Sequence, residues 1–215
     1  MSNKYRKNRR MKRLICIVFI LLFNSIQSQN SEIENVKFTI NKDLSEWTKS
    51  FKNFNWNDFI KVDSIAVFEN FEKQSFKHLK KFQSVYNPII SYSKNKDKFI
   101  DIYSSQLNLE KKNDKYYSTI DIGQAIYLCD IKNKYWARIF YGEYSRKIDD
   151  IVWINENDFL LVGTEKNEND KNSPVIYIGN LKNKSLEIVI NTDKNCFQKE
   201  ETYKSEKLKS IKIED

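Results

Sequence analysis

From residue 88 to residue 190 the chain alternates short apolar runs with polar turns. PII, FIDIY, AIYLCDI and YWARIFY are answered in the same order by DDIVWI, FLLVG, VIYIG and LEIVI, and each run has the length of a strand. Residues 125–140 (AIYLCDIKNKYWARIF) align with 175–190 (VIYIGNLKNKSLEIVI) through Ile126/Ile176, Tyr127/Tyr177 and a shared Lys-Asn-Lys turn, while 88–104 aligns with 148–164 through Phe99/Phe159. The pattern predicts two tandem units, 88–141 and 148–190, each a four-stranded antiparallel meander. The first has strands at 89–93, 98–104, 124–131 and 135–141, the second at 150–154, 158–164, 174–180 and 185–190. With four Gly in the whole chain, Asn and Asp are expected to take the left-handed turn positions.

FLLVG and VIYIG are apolar at consecutive positions, so their strands need cover on both faces. Residues 29–87 supply a candidate, an aromatic-rich helical annex. In NKDLSEWTKSFKNF, Asp43 and Glu46 stand at capping-box spacing, and Leu44, Trp47, Phe51 and Phe54 follow at helical steps. A second helix is expected around Phe76, Leu79 and Phe82, ending before Pro88. The fold class is therefore mainly β with an N-terminal helical annex (α+β), the β-rich body and C-terminal tail occupying 88–215.

SYSKNKDKFIDIYS resembles the S-P-D-G-K-x-apolar turn and strand of WD-repeat and TolB-type propeller blades, with Ser93, Asp97, Lys98 and Phe99 fitting the pattern. VIYIGNLKNKSLEIVI resembles their third and fourth strands. A closed propeller needs roughly four to eight blades, so the resemblance implies blade-like sheets without a ring. The arrangement also resembles uncharacterised exported β-rich proteins of Gram-negative bacteria, which implies a fold and no activity.

The N-terminus changes the charge argument. Residues 1–13 carry seven basic side chains and no acid, LICIVFILLF follows, and NSIQSQ supplies small residues at its exit. This is the layout of a signal peptide over 1–28, with cleavage expected after Ser28 and translation starting at Met1 or Met11. The segment holds seven of the 37 basic residues and none of the 29 acidic ones, so without it the net charge falls from +8 to +1. No nucleic-acid partner is implied, and no integral membrane segment is expected after cleavage.

In an exported setting Cys129 and Cys196 allow a disulfide or stand as two buried thiols. His78 is the only histidine, which excludes a multi-histidine metal site and leaves any triad dependent on it. No metal or cofactor is expected. Asp149 and Asp150, with Glu143 nearby, offer carboxylates for a small envelope hydrolase, although adjacent residues of a strand point to opposite faces. In KYWARIFYGEYSRK, the same alternation puts Tyr135, Ala137, Ile139 and Tyr141 on one face and Trp136, Arg138 and Phe140 on the other. Trp136 and Arg138, extended by Tyr144 and Trp153, have the composition of a binding surface. The expected function is an exported, non-enzymatic binding module of the cell envelope, taking a protein or a glycan. The alternatives are the hydrolase and an inhibitor or immunity protein.

Overall fold

The computed structural model describes residues 33–68, 74–75, 77–120, 123–142, 145–200 and 203–214. The expected signal segment, Phe76, Glu143 and Tyr144 lie outside the described residues. The chain divides into two compact units, Met1–Asp43 and Leu44–Asp215. In the first, residues 33–43 are helical (α1), with Val36 and Ile40 buried one turn apart. No helix among the described residues is long and apolar enough to cross a membrane.

The second unit opens with α2 (Ser45–Lys49), a single turn whose N-cap is Leu44 and has no side-chain cap. Asp43 closes α1, so the expected capping box does not form. The chain is extended again at β1 (Phe51–Lys52), which takes Phe51 and Phe54 off any helix. Their rings still gather as a core, with Trp47 5.0 Å from Phe51 and 5.9 Å from Phe54, and Phe54 5.1 Å from Phe59. A 3-10 turn (Trp56–Asp58) leads into β2 (Phe59–Val67), so the expected helical annex contains a nine-residue strand. β3 (Gln74–Ser75) and α3 (Leu79–Tyr86) follow, and α3 stops before Pro88 as expected.

The meanders are β4 (Ser91–Tyr92), β5 (Lys98–Asp101), β8 (Gln124–Asp130) and β9 (Tyr135–Gly142), then β10 (Arg146–Trp153), β11 (Asp158–Lys166), β12 (Asn172–Asn180) and β13 (Ser185–Asn191). Between β5 and β8 the chain inserts a hairpin, β6 (Leu107–Lys112) and β7 (Lys115–Ile120). After β13 come β14 (Phe197–Gln198), α4 (Glu206–Lys209) and β15 (Ile213–Glu214). The spatial orders are β3-β9-β8-β5-β4 and β10-β11-β12-β13-β2. Both meanders thus have the expected order, and each gains a fifth strand beside its fourth. The fold is mainly β, its two five-stranded sheets antiparallel and not closed into a ring, while β15 adds to the hairpin in parallel with β7.

Around the two tyrosines the registers coincide. Phe99 pairs with Cys129 as Phe159 pairs with Gly179, and Asp101 pairs with Tyr127 as Leu161 pairs with Tyr177. On the other side Tyr127 faces Arg138 and Tyr177 faces Ile188. The turns after the third strands share one mechanism. Asn133 N–H donates to Asp130 Oδ1 at 2.8 Å, and Asn183 N–H donates to Asn180 Oδ1 at 2.8 Å. The left-handed residue of each is Lys134 (φ 58°) or Lys184 (φ 53°), where Asn or Asp was expected. The acceptor side chain is spent on starting the turn, so the last residue before the next strand takes the positive φ.

Directly paired residues share a face. Tyr92, Phe99, Cys129, Tyr127, Trp136 and Arg138 therefore lie on one face of the first sheet, with Ile100, Ile126 and Leu128 on the opposite one. In the second sheet Trp153, Phe159, Leu161 and Tyr177 share a face. Phe140, which pairs with Ile126, meets Tyr177 edge-on at 5.0 Å. The sheets stack with unlike faces together: the Ile126 face of the first lies on the Tyr177 face of the second. Their first turns also join, Asn95 N–H donating to Glu156 Oε1 at 2.9 Å. Among the described residues neither five-stranded sheet stacks on the Tyr127 face of the first sheet.

Candidate functional site: an aromatic cleft on the open face of the first sheet

α3 covers part of that face, and the inserted hairpin is tied to α3. Phe82 on α3 stacks at 5.9 Å over Phe99 and meets Trp136 edge-on at 4.9 Å, and it stacks on Tyr86 at 4.6 Å. The Tyr86 hydroxyl donates to Leu107 O and accepts from Leu109 N–H, both at 2.9 Å, fastening α3 to β6. An eight-residue helix cannot blanket a five-stranded sheet. What remains is an open cleft of about 470 Å³. Its walls are the aromatic side chains Phe82, Tyr127 and Trp136, with Gln74, Ser75, Lys77, His78 and Ser104 supplying polar groups.

The end of β5 builds one rim. Asp101 is fully buried, and its Oδ1 accepts from Tyr103 N–H and Ser104 N–H, each at 3.0 Å, turning the chain out of the strand. Ser104 Oγ donates to Asp101 Oδ2. Burial pushes the Asp101 carboxyl up, against the pull of those hydrogen bonds. A hydrolytic triad needs an imidazole between the hydroxyl and the acid, whereas here the acid holds Ser104 directly. His78, exposed on the other rim, lines the same cleft.

Trp136 and Arg138 share a face, as the sequence alternation predicts, but they do not form one patch with Trp153. Trp136 is packed against α3, at the cleft. Arg138 is exposed and lies 5.5 Å over the exposed ring of Tyr141. A bulge explains that pair: Tyr127 pairs with Arg138 but Ile126 with Phe140, so the alternation flips at Ile139. Tyr141 joins the Arg138 face, and Phe140 leaves it for the interface between sheets. Trp153 belongs to the second sheet, where its Nε1–H donates to Ser91 O at 3.0 Å. Tyr144 lies outside the described residues.

The other candidates are structural. Cys129 and Cys196 are free thiols, both buried, and burial raises both, Cys196 to about 12. Asp149 and Asp150 belong to a polar seam rather than a paired acid site. Asp149 is the bulged residue of β10, buried, with Lys147 Nζ 3.1 Å from Oδ1. Asp150 accepts from Tyr203 Oη at 2.7 Å and from Ile151 N–H at 2.7 Å. Nearby, Tyr103 Oη donates to Asp149 O at 3.1 Å and shares a hydrogen bond with Ser205, and Gln124 bridges Ile102 O and Ile148 O at 3.0 and 2.8 Å. Burial raises Asp149 and Asp150 alike. The seam permits the bulge because Gly163 stands opposite, where a Cβ would meet Lys147 O at 2.0 Å.

Among the described residues no three His, Cys, Asp or Glu side chains gather as a metal site. No protein-family model, no curated protein and no solved structure matches the chain.

Proposed function

We propose that the chain is an exported, non-enzymatic binding module of the cell envelope and that it takes a glycan in the cleft beside α3. The observation that carries this reading is the wall composition: Phe82, Tyr127 and Trp136 face a space of about 470 Å³ rimmed by Gln74, Ser75, His78 and Ser104. A sugar ring presents apolar C–H faces and equatorial hydroxyls, which aromatic rings and such polar side chains complement together. The engagement of Ser104 with Asp101 argues for binding without turnover. The basic N-terminal segment and its apolar run support export.

The test is affinity for purified envelope polysaccharide and peptidoglycan fragments, with product analysis on the same samples. Tyr127→Ala, with an unchanged circular dichroism spectrum, is expected to weaken binding about tenfold, the loss of one aromatic contact. Shortened glycan products, or binding indifferent to Tyr127→Ala, would overturn the proposal.

A further inference from the structure

A second cavity, of about 400 Å³, lies where the first strands of the two sheets, β4 and β10, come together. Its lining includes the apolar side chains Tyr92, Ile151, Val152 and Trp153 and the polar side chains Ser91, Lys94 and Lys207. Lys207 arrives from α4, and its orientation sets it apart from the next lysine on that turn. Lys209 points outward and pairs with Glu206 at 2.6 Å, whereas Lys207 turns inward and donates to Ser91 Oγ. Ser91 is itself buried and fixed, since Trp153 Nε1–H donates to its carbonyl.

An inward-facing lysine is ordinarily paid off by a carboxylate. Asp150 is the acid that Lys207 feels, but its oxygens accept from Tyr203 and from Ile151 N–H, and among the described residues no ion pair to Lys207 forms. Burial favours the neutral amine, pulling Lys207 below the ordinary lysine range against the opposing charge of Asp150. An amine held by Ser91 against an aromatic-lined cavity, where burial favours its unprotonated form, is placed to act as a nucleophile.

We propose that this cavity captures carbonyl compounds, aldehydes or ketones with an apolar or aromatic body, as an imine on Lys207. The Nζ lone pair adds to the carbonyl carbon as the C=O π pair moves to oxygen. A proton passes from nitrogen to that oxygen, for which the Ser91 hydroxyl is placed as relay, and the carbinolamine then loses water to leave the C=N bond. Amine plus carbonyl gives imine plus water, so no further reactant is needed, and hydrolysis reverses the capture. The site is separate from the cleft and does not depend on the glycan reading.

The experiment is limited reductive labelling of the folded chain with benzaldehyde and cyanoborohydride, read by peptide mass spectrometry. Lys207 is expected to be modified roughly tenfold or more faster than exposed Lys182, the scale of effect that desolvating an amine produces. The preference should vanish in denaturant, and Ser91→Ala should slow Lys207 several-fold while leaving Lys182 unchanged. Labelling of Lys207 no faster than Lys182 in the folded protein would overturn the inference, as would a preference that survives unfolding. Because the readout uses the native chain, it does not depend on whether a Lys207 variant folds.

Discussion

Tyr127 and Tyr177 occupy matching positions in the central strand pairings of their two sheets, yet Tyr177 is 1% exposed and Tyr127 opens into a cleft. The difference is what lies on top. The first sheet covers the face of Tyr177, Phe140 meeting its ring at 5.0 Å, while among the described residues the corresponding face of the first sheet is met by α3, itself tied to the hairpin. A repeated sheet that stacks unlike faces leaves one such face over at the end of the stack. In this chain that leftover face is the candidate site.

Covering Tyr177 has a cost. Its hydroxyl is buried with no hydrogen-bond partner among the described residues, and burial pushes it up to about 12. Tyr177→Phe removes the unsatisfied group and keeps the ring, so it should raise stability by about 1 kcal/mol. Urea unfolding measures this, and a loss of similar size would show that the hydroxyl has a partner.

The two sheets differ opposite their core phenylalanines. Phe99 faces Cys129, but a Cβ at Gly179 would lie 2.1 Å from the Phe159 ring. Gly179→Ala should therefore cost about 1–3 kcal/mol by overpacking. Cys129→Ala, which removes one buried sulfur, should cost about 1 kcal/mol. Equal effects at the two positions would contradict the packing described.

Buried Asp101, Asp149 and Asp150 all have carboxyls raised by burial above the ordinary value of 3.8. An acid whose folded-state pKa is raised holds its proton more tightly in the folded chain. Its stabilising contribution is complete below the unfolded pKa and is lost as pH rises through the folded one. Tm should be higher near pH ~4 than near pH ~7, and Asp101→Asn should shrink the difference. A Tm that climbs steadily from acid to neutral pH would mean that the exposed ion pairs dominate.

Export is checked at the N-terminus. The isolated mature protein should begin at or near Gln29. Sequencing that finds residues 1–13 intact on membrane-bound material would contradict this.

The meanders were legible because their strands are apolar runs bounded by Asn- and Asp-rich turns, a signal that needs no tertiary information. The inserted hairpin was missed. LNLEKK and KYYSTI are mostly polar and exposed, and the available signal was Asn113-Asp114, both with positive φ (50° and 62°), a two-residue hairpin turn without glycine. β2 was hidden because FIKVDSIAV lies between aromatic stretches with helical spacing. The cleft was out of reach of sequence. It joins β3, α3, the exit of β5, β8 and β9, and only the stacking of the sheets shows which face of Tyr127 and Trp136 stays open. His78 and Trp136 each stood out, but nothing in their spacing brings them together.

The most direct test of the central claim is a two-dimensional 1H–15N spectrum of the protein titrated with envelope glycan fragments. Four indole signals report three regions: Trp47 and Trp56 the N-terminal aromatic core, Trp153 the surroundings of Ser91, and Trp136 the cleft. The account predicts saturable shifts of the Trp136 indole and of the backbone amides of Gln74, Ser75 and Tyr127, with Trp47 and Trp56 unmoved. Shifts confined to Trp153, or a spectrum unchanged at saturating glycan, would contradict it.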